Sequence, residues 1–341
     1  MELFVEFKRE DGSDPFNDDG SPFEKVFDTA RKTRGEIIRY STVQQIWQFR
    51  TWTFSVAIFG DVARLFRWDR AGTVVSGPIP YREEGNRDLV EFLHRFDMMD
   101  RTQRGWDPTV FDASPEEIAD FDKAIKDAVE DGENVSLRSL FASVGDKGRY
   151  LRRRIEIPKR EGEGKGERAV SYIVGRSIET PRSPTGRATR VFVAMSMDTK
   201  KLVFLKDSWR PNFPGMKGES EWFEKLEGAR NVFAFLHGSD VRCVVVRGRG
   251  RVETPDPDLD LIQRTLTDVH SEEFRGIKDM LGYIHYRTVQ CEFYVPLYRF
   301  RDSKHLTQIM RDIVNGASLF SFVRVPSLNR SQPYRTCTIG G

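Results

Sequence analysis

The hydrophobic positions of this chain switch between two periods, and the switches mark its elements. Between Pro22 and Phe49, Val26, Phe27, Ala30, Ile37, Ile38 and Tyr40 form a partial apolar stripe at helical spacing. Ser21 before Pro22 reads as a cap with proline at the first helical position, so a helix is predicted over 22–49. The period then drops to two. TWTFSVAIF (51–59) and VARLFRW (62–68) alternate around β-branched and aromatic residues, and a turn at 69–72 leads into TVVS (73–76). The prediction is a helix followed by a three-stranded meander. NRDLVEFLHRF reads as a helix capped by Asn86, with Leu89, Phe92, Leu93 and Phe96 on one face. SPEEIADFDKAIKDAV opens with Ser114, Pro115 and Glu117, a capping box with proline at its first position.

A break is predicted at 131–134, giving a first domain over 1–130 and a second region over 135–314. The second region begins with a short helix near 137–144 and the strand YLRRRIEIP. KREGEGKGER (159–168) reads as a mobile loop; no helical pattern comes after its glycines, so it is not a dinucleotide fingerprint. The strands AVSYIV (169–174) and TRVFVAMSM (189–197) flank a polar loop, Gly175 to Ala188. After a turn comes LVFLKD, and after a Pro/Gly segment a helix over 219–229. LVFLKD poses the chemical question. An ammonium at the end of a core strand loses its charge to desolvation unless an anion meets it. For Lys206 that anion is a neighbouring carboxylate, a bound ligand, or only water.

Composition narrows the classes. The 341 residues carry 54 basic and 52 acidic side chains, so no global basic field marks a nucleic-acid partner. Three cysteines without a C-x-x-C argue against structural zinc and disulfide scaffolds, and fit a reducing compartment. The acidic N-terminus is not a signal peptide, and no stretch is long and apolar enough for a membrane span, so an intracellular protein is expected. The histidines at 94, 237, 270, 285 and 305 show no metal-ligand spacing. No G-x-S-x-G and no Walker loop occurs. The helix-plus-meander outline of a nuclease core lacks the carboxylate and E-x-K pattern on its strands. Arg247 to Arg251 is read as a surface loop, and Arg152, Arg153 and Arg154 as a solvated patch.

The order strand, loop, strand, tight turn, strand ending in lysine, helix with glutamate has a mechanical meaning. In kinase-type sites the loop covers the phosphates, the lysine touches them, and the helix carboxylate holds the lysine. Lys206 fits the lysine role; Glu221 or Glu224 fits the carboxylate role, with Glu221 preferred beside Trp222 and Phe223. The words TRGEIIRYSTVQ, FRTWTFSVAIFGDVARLFRWDRAGTVVS, QRGWDPTV, KLVFLKDSWR and GYIHYR resemble the fungal-type protein kinase family over roughly 33–314. The resemblance implies an α+β fold: a helix-plus-meander accessory domain, then a protein kinase-like small lobe with the start of a large lobe. It implies that ATP binds at Lys206 and Glu221 beneath a loop containing Gly175 and Gly186. It places a hinge near Cys291 to Val295, and implies magnesium and a protein hydroxyl as phosphoryl acceptor.

The departures from that pattern are specific. H-R-D-x-x-x-x-N and D-F-G are missing, so the catalytic base and the magnesium ligands are not in this sequence. His285-Tyr286-Arg287 is not the catalytic loop, and the Arg-Asp pairs at 301–302 and 311–312 lack the histidine and asparagine. His305 to Ile313 reads as the first helix of the large lobe, and 315–341 as an irregular tail too short to supply the rest. A shortened product without a complete catalytic site is therefore expected, either a kinase-like protein inactive as this chain or a pseudokinase-like interaction module.

Overall fold

The computed structural model describes residues 2–9, 13–19, 22–131, 135–144, 151–158, 169–226, 235–243, 245–247, 250–252, 262–270, 280–291, 293, 300 and 302–322. Among them the chain builds a four-stranded sheet, a seven-stranded sheet and a separate two-stranded pair.

The first sheet uses β1 (Phe4–Lys8), β2 (Thr53–Phe59), β3 (Val62–Trp68) and β4 (Thr73–Val75), in that spatial order. The predicted meander is β2 to β4. The added strand, β1, runs parallel to β2 with Phe4 opposite Ser55. Helix α1 (Asp28–Gln48) crosses this sheet, and Ile37 joins Phe4, Phe16, Ala57, Phe59, Phe66 and Trp68 in a shared core. It starts at Asp28, later than predicted, because the preceding segment is held as a loop. The Arg34 guanidinium donates to the carbonyls of Pro15 and Lys25 at 3.0 and 2.7 Å. Residues Leu89 and Phe92 of α2 (Asp88–Met98) cover the other face, against Val56, Ile58, Ala63 and Ile79.

The second sheet is built along β5 (Val110–Asp112), α3 (Pro115–Asp131), α4 (Val135–Val144), β6 (Arg153–Pro158), β7 (Ala169–Glu179), β8 (Arg190–Ser196) and β9 (Leu202–Pro211). It continues through α5 (Glu219–Lys225), β10 (Phe235–Asp240), the pair β11 (Val245–Arg247) and β12 (Gly250–Val252), and β13 (Tyr283–Gln290). Its spatial order is β10-β13-β9-β8-β7-β6-β5, so β9 lies near the middle between β8 and β13. The capping box of α3 forms as predicted: the Ser114 amide donates to Glu117 Oε2 at 2.7 Å, and the Glu117 amide to Ser114 Oγ at 3.2 Å.

The break between the sheets falls between β4 and β5, ahead of the residue-130 boundary. Strand β5 pairs with β6, and α3 and α4 pack Phe121, Ile125, Phe141 and Val144 against Ile173, Val193 and Met195 of the second sheet. The apolar stripe of α3 is buried there, so α3 belongs to the second sheet and not to the first. The opposite face of this sheet carries Ile155, Val174, Phe192, Val203, Leu205 and Val289, and receives Phe49 from the end of α1. Phe49 takes the left-handed conformation, φ 51°, that ends that helix.

Two further expectations change. The connection between β7 and β8 begins after Glu179, because β7 runs past Gly175. Helix α6 (Ser303–Phe322) continues into the stretch read as an irregular tail. A single glycine, Gly316, costs a helix only about 1 kcal/mol, and the next proline in the sequence is Pro326. The loop 159–168 and residues 323–341 lie outside the described residues.

Candidate functional site

Alternation along β9 sends consecutive side chains to opposite faces of the sheet. Leu202 packs on the α3/α4 side, and Lys206 lies further along at strand spacing. Helix α5 sits over the same face. The Ser220 amide donates to Tyr286 Oη at 2.9 Å, and that hydroxyl donates to Ser220 Oγ at 2.6 Å. A side chain at Gly218 would meet the Tyr286 ring at 2.8 Å, so the glycine is what allows α5 to begin this close to β13.

The result is that the first residue of α5, Glu219, reaches the lysine. Lys206 Nζ lies 2.6 and 2.7 Å from the two carboxylate oxygens of Glu219. The Arg187 guanidinium, from the end of the β7–β8 connection, lies 3.0 Å from Glu219 Oε1. Lys206 and Glu219 remain 22% and 33% exposed, so the group is open to a ligand. The predicted partner was Glu221. That residue is occupied at the third position of the helix, where it accepts from the Gly218 amide at 3.3 Å and pairs with Lys217 at 3.1 Å. Glu224 is exposed. Two positions, about half a helical turn, separate an inward first-turn carboxylate from one folded back on its own helix start, and strand-to-helix spacing does not distinguish them.

Gly175 stands inside β7 instead of in a loop. It is buried, and a Cβ there would lie 2.7 Å from Arg152 Nη1 and 3.4 Å from the Phe121 ring. Its smallness makes room for Arg152, which is 6% exposed and pairs with Asp122 at 3.0 Å. Arg152 is thus a buried ion-pair residue and not part of a solvated patch. Gly186 lies in the β7–β8 connection with φ +82°, a conformation suited to glycine, and its amide donates to the Arg70 carbonyl at 2.8 Å. Of the hinge segment, Cys291 and Phe293 are described; Glu292, Tyr294 and Val295 lie outside the described residues.

The reverse face of β9 holds a buried charge network that pattern reading missed. Asp207 is 1% exposed and receives Arg190 Nη2 at 2.5 Å, together with His285 Nε2. His285 stacks on Trp209 with ring centroids 4.7 Å apart, and its Nδ1 lies 2.7 Å from Gln263 Oε1. Arg287, fully buried, donates to Asp107 Oδ2 at 2.6 Å, Thr109 Oγ1 at 2.7 Å and the Glu156 carbonyl at 3.1 Å. Arg190 also reaches the Ile46 carbonyl of α1 at 3.3 Å. Burial pushes the Asp207 carboxyl up, but Arg190, His285 and Arg287 outweigh it and hold it well below the ordinary carboxylate range. Asp107 is likewise lowered: burial opposes this, and the Arg287 charge overcomes it.

This network ties the two sheets together. Asp69, in the turn after β3, accepts from the amides of Leu266 and Thr267 at 3.0 and 2.9 Å, and Arg70 donates to the Pro184 carbonyl at 2.8 Å. A signal was present in the words KLVFLKDSWR and GYIHYR. Each places a charge at a position that strand alternation assigns to the core, whereas Asp107 of QRGWDPTV lies ahead of β5, outside any strand.

Among the described residues no group of three His, Cys, Asp or Glu side chains is placed to hold a metal ion. Among them also no helix is long and apolar enough to cross a membrane. Comparison with curated proteins and with solved structures gave no match. The family model described as fungal protein kinase matches residues 28–322, a span that includes β2 to β4 of the first sheet, the second sheet, the buried network and Lys206. The chain belongs to the fungal protein kinase family.

Proposed function

We propose that Lys206 and Glu219 form a nucleotide-anchoring pair, with the ammonium meeting the α- and β-phosphates of ATP and the carboxylate steadying it. The observation that carries this reading is the charge balance at Glu219. Two cations, Lys206 and Arg187, share one carboxylate, which leaves one positive charge for an anion to neutralise. The three residues come from a loop, the next-but-one strand and the helix after it, the arrangement that kinase-type sites use around phosphates. The strand restricts the lysine backbone, and a carboxylate on the helix side compensates charge without covering the ammonium. Gly186, beside Arg187, belongs to the same connection, so phosphate covering is assigned to residues 180–189 rather than to a loop starting at Gly175.

ATP fits this pair; magnesium does not fit the residues present. The 341 residues contain no H-R-D-x-x-x-x-N and no D-F-G, so no base and no metal ligands are assigned. The family's chemistry is transfer of a phosphoryl group to a protein hydroxyl. The proposal for these residues alone is narrower: they hold nucleotide and do not transfer from it. The free, exposed thiol of Cys291 supports a reducing, intracellular setting.

Thermal shift with ATP tests the pocket, and labelled ATP with magnesium tests transfer. ATP is expected to raise the melting temperature of the chain. Lys206→Met should abolish the shift, Glu219→Gln should weaken binding about tenfold, and Glu221→Gln should leave it unchanged. No shift in the unsubstituted chain would reject the nucleotide reading in favour of an interaction module. Transfer that depends on Lys206 would reject the non-catalytic part.

A further inference from the structure

A cavity of about 360 Å³ opens where the end of α1 meets β5 and β6. Arg101, Arg153 and Arg154 line it, together with Trp106, Phe111 and Asp112. Its charges are unequally matched. Arg154 pairs with Glu117 at 3.1 Å, and Arg153 contacts Asp112, whose own side chain is 70% exposed. Arg101 has no carboxylate partner among the described residues; its guanidinium lies 4.3 Å from the centre of the Trp106 ring. Arg50 lies over the same ring at 4.4 Å, and Arg154 over Phe111 at 5.1 Å. The aromatic walls are therefore overlaid by guanidinium groups, and an apolar ligand finds little bare ring to contact.

Two observations strengthen the positive character of the cavity. Burial, and then the charge of Arg101, push the Arg153 guanidinium down from its ordinary value, which places these two cations within each other's field. The carbonyls at the negative end of α1 are already used: Ile46 accepts from Arg190 and Phe49 accepts from the Asp107 amide. An anion entering here would replace the exposed Asp112 on Arg153 and bring a partner to Arg101.

We propose that this cavity binds the phosphate monoester of a phosphorylated serine or threonine side chain of a protein. Guanidinium forks match phosphate oxygens two at a time, and a doubly charged group suits two converging arginines better than a carboxylate does. The volume lies at the small end of ligand sites, enough for one side chain. A nucleic-acid backbone would require an extended basic field, and the net charge of +2 provides none. The cavity includes Phe49 and Val110, which pack on the face of the second sheet opposite Lys206, so it is separate from the nucleotide pair.

Calorimetric titration of the full chain tests the proposal with four probes: a short phosphoserine peptide, its unphosphorylated twin, inorganic phosphate and a single-stranded oligonucleotide. The phosphopeptide is expected to bind and its twin not to. Inorganic phosphate should compete with the peptide at higher concentration. Arg101 is exposed, so Arg101→Gln should fold normally and weaken phosphopeptide binding about tenfold. Arg101→Lys, which keeps the charge but loses the fork, should fall between the two. Lys206→Met should leave phosphopeptide binding unchanged. The proposal is overturned if both peptides bind equally, if neither binds, if inorganic phosphate binds and the phosphopeptide does not, if the oligonucleotide outcompetes the phosphopeptide, or if Arg101→Gln changes nothing.

Discussion

Lys206 and Asp207 are neighbours on β9 and occupy opposite environments. Lys206 is partly exposed and shares Glu219 with Arg187 across an open edge of helix α5. Asp207 is sealed between the sheets, where Arg190, His285 and Arg287 surround it. A partly exposed ion pair contributes about 0–1 kcal/mol, so the Lys206 face is free to be chosen for ligand contact. A buried network does not have that freedom: its charges have left water and depend on one another. The same strand thus carries one position open to function and one committed to joining the two halves of the molecule.

The largest effect should come from breaking the sealed side. Arg287→Met leaves Asp107 buried without its cation and should destabilise the chain by about 3–5 kcal/mol, read from urea denaturation. Combining it with Asp107→Leu should recover much of that loss, because an apolar pair needs no charge partner. Equal stability of single and double variants would show that the two residues do not act as a unit.

Next in size are the glycines that shape the two faces. At Gly105, φ +90°, a Cβ would lie 2.1 Å from the Trp52 carbonyl oxygen, so Gly105→Ala combines strain with overlap beside Asp107. About 2–3 kcal/mol of destabilisation is expected. Gly175→Ala should cost about 1–3 kcal/mol by displacing Arg152. If Gly175 served the phosphates instead, this variant would lose the ATP shift while keeping its stability.

The pH dependence sharpens the contrast further. The folded-state value of Asp207 is depressed, so its contribution is fully present above the unfolded value of about 3.9 and is lost as pH falls through the folded one. Acid titration of stability below about pH 4 should therefore be steeper in the unsubstituted chain than in Asp207→Asn, once their different neutral-pH stabilities are allowed for. A parallel pair of curves would place the acid sensitivity elsewhere. The smallest stability change should belong to Lys206→Met, within about 1 kcal/mol, although the proposed pairing expects it to remove the nucleotide response. A large loss of stability there would mean that the lysine, too, is structural.

Local pattern reached the elements whose causes are local. The capping box at Ser114 and Glu117, the alternation of 53–68 and the lysine-bearing strand before a carboxylate helix are all legible because each is written within a few residues. Strand β1 was not legible, since its five residues become a strand only by pairing with β2 some fifty positions later. The choice of Glu219 over Glu221 was not legible either. It rests on Gly218 meeting the Tyr286 ring, a contact between segments far apart in the chain.

What the sequence by itself determined, then, is the meander β2 to β4, the helices α2 to α5 and the strands β6 to β9, the absence of H-R-D and D-F-G, and the place of Lys206 at the end of an apolar run. Tertiary structure alone decided which acid meets that lysine and which charges seal the joint. Asp107 and Arg287 are 180 positions apart, and a charge in a strand does not announce its partner. The physical reason is range: periodicity and capping are properties of neighbouring residues, whereas the compensation of a buried charge is settled only when distant segments close around it.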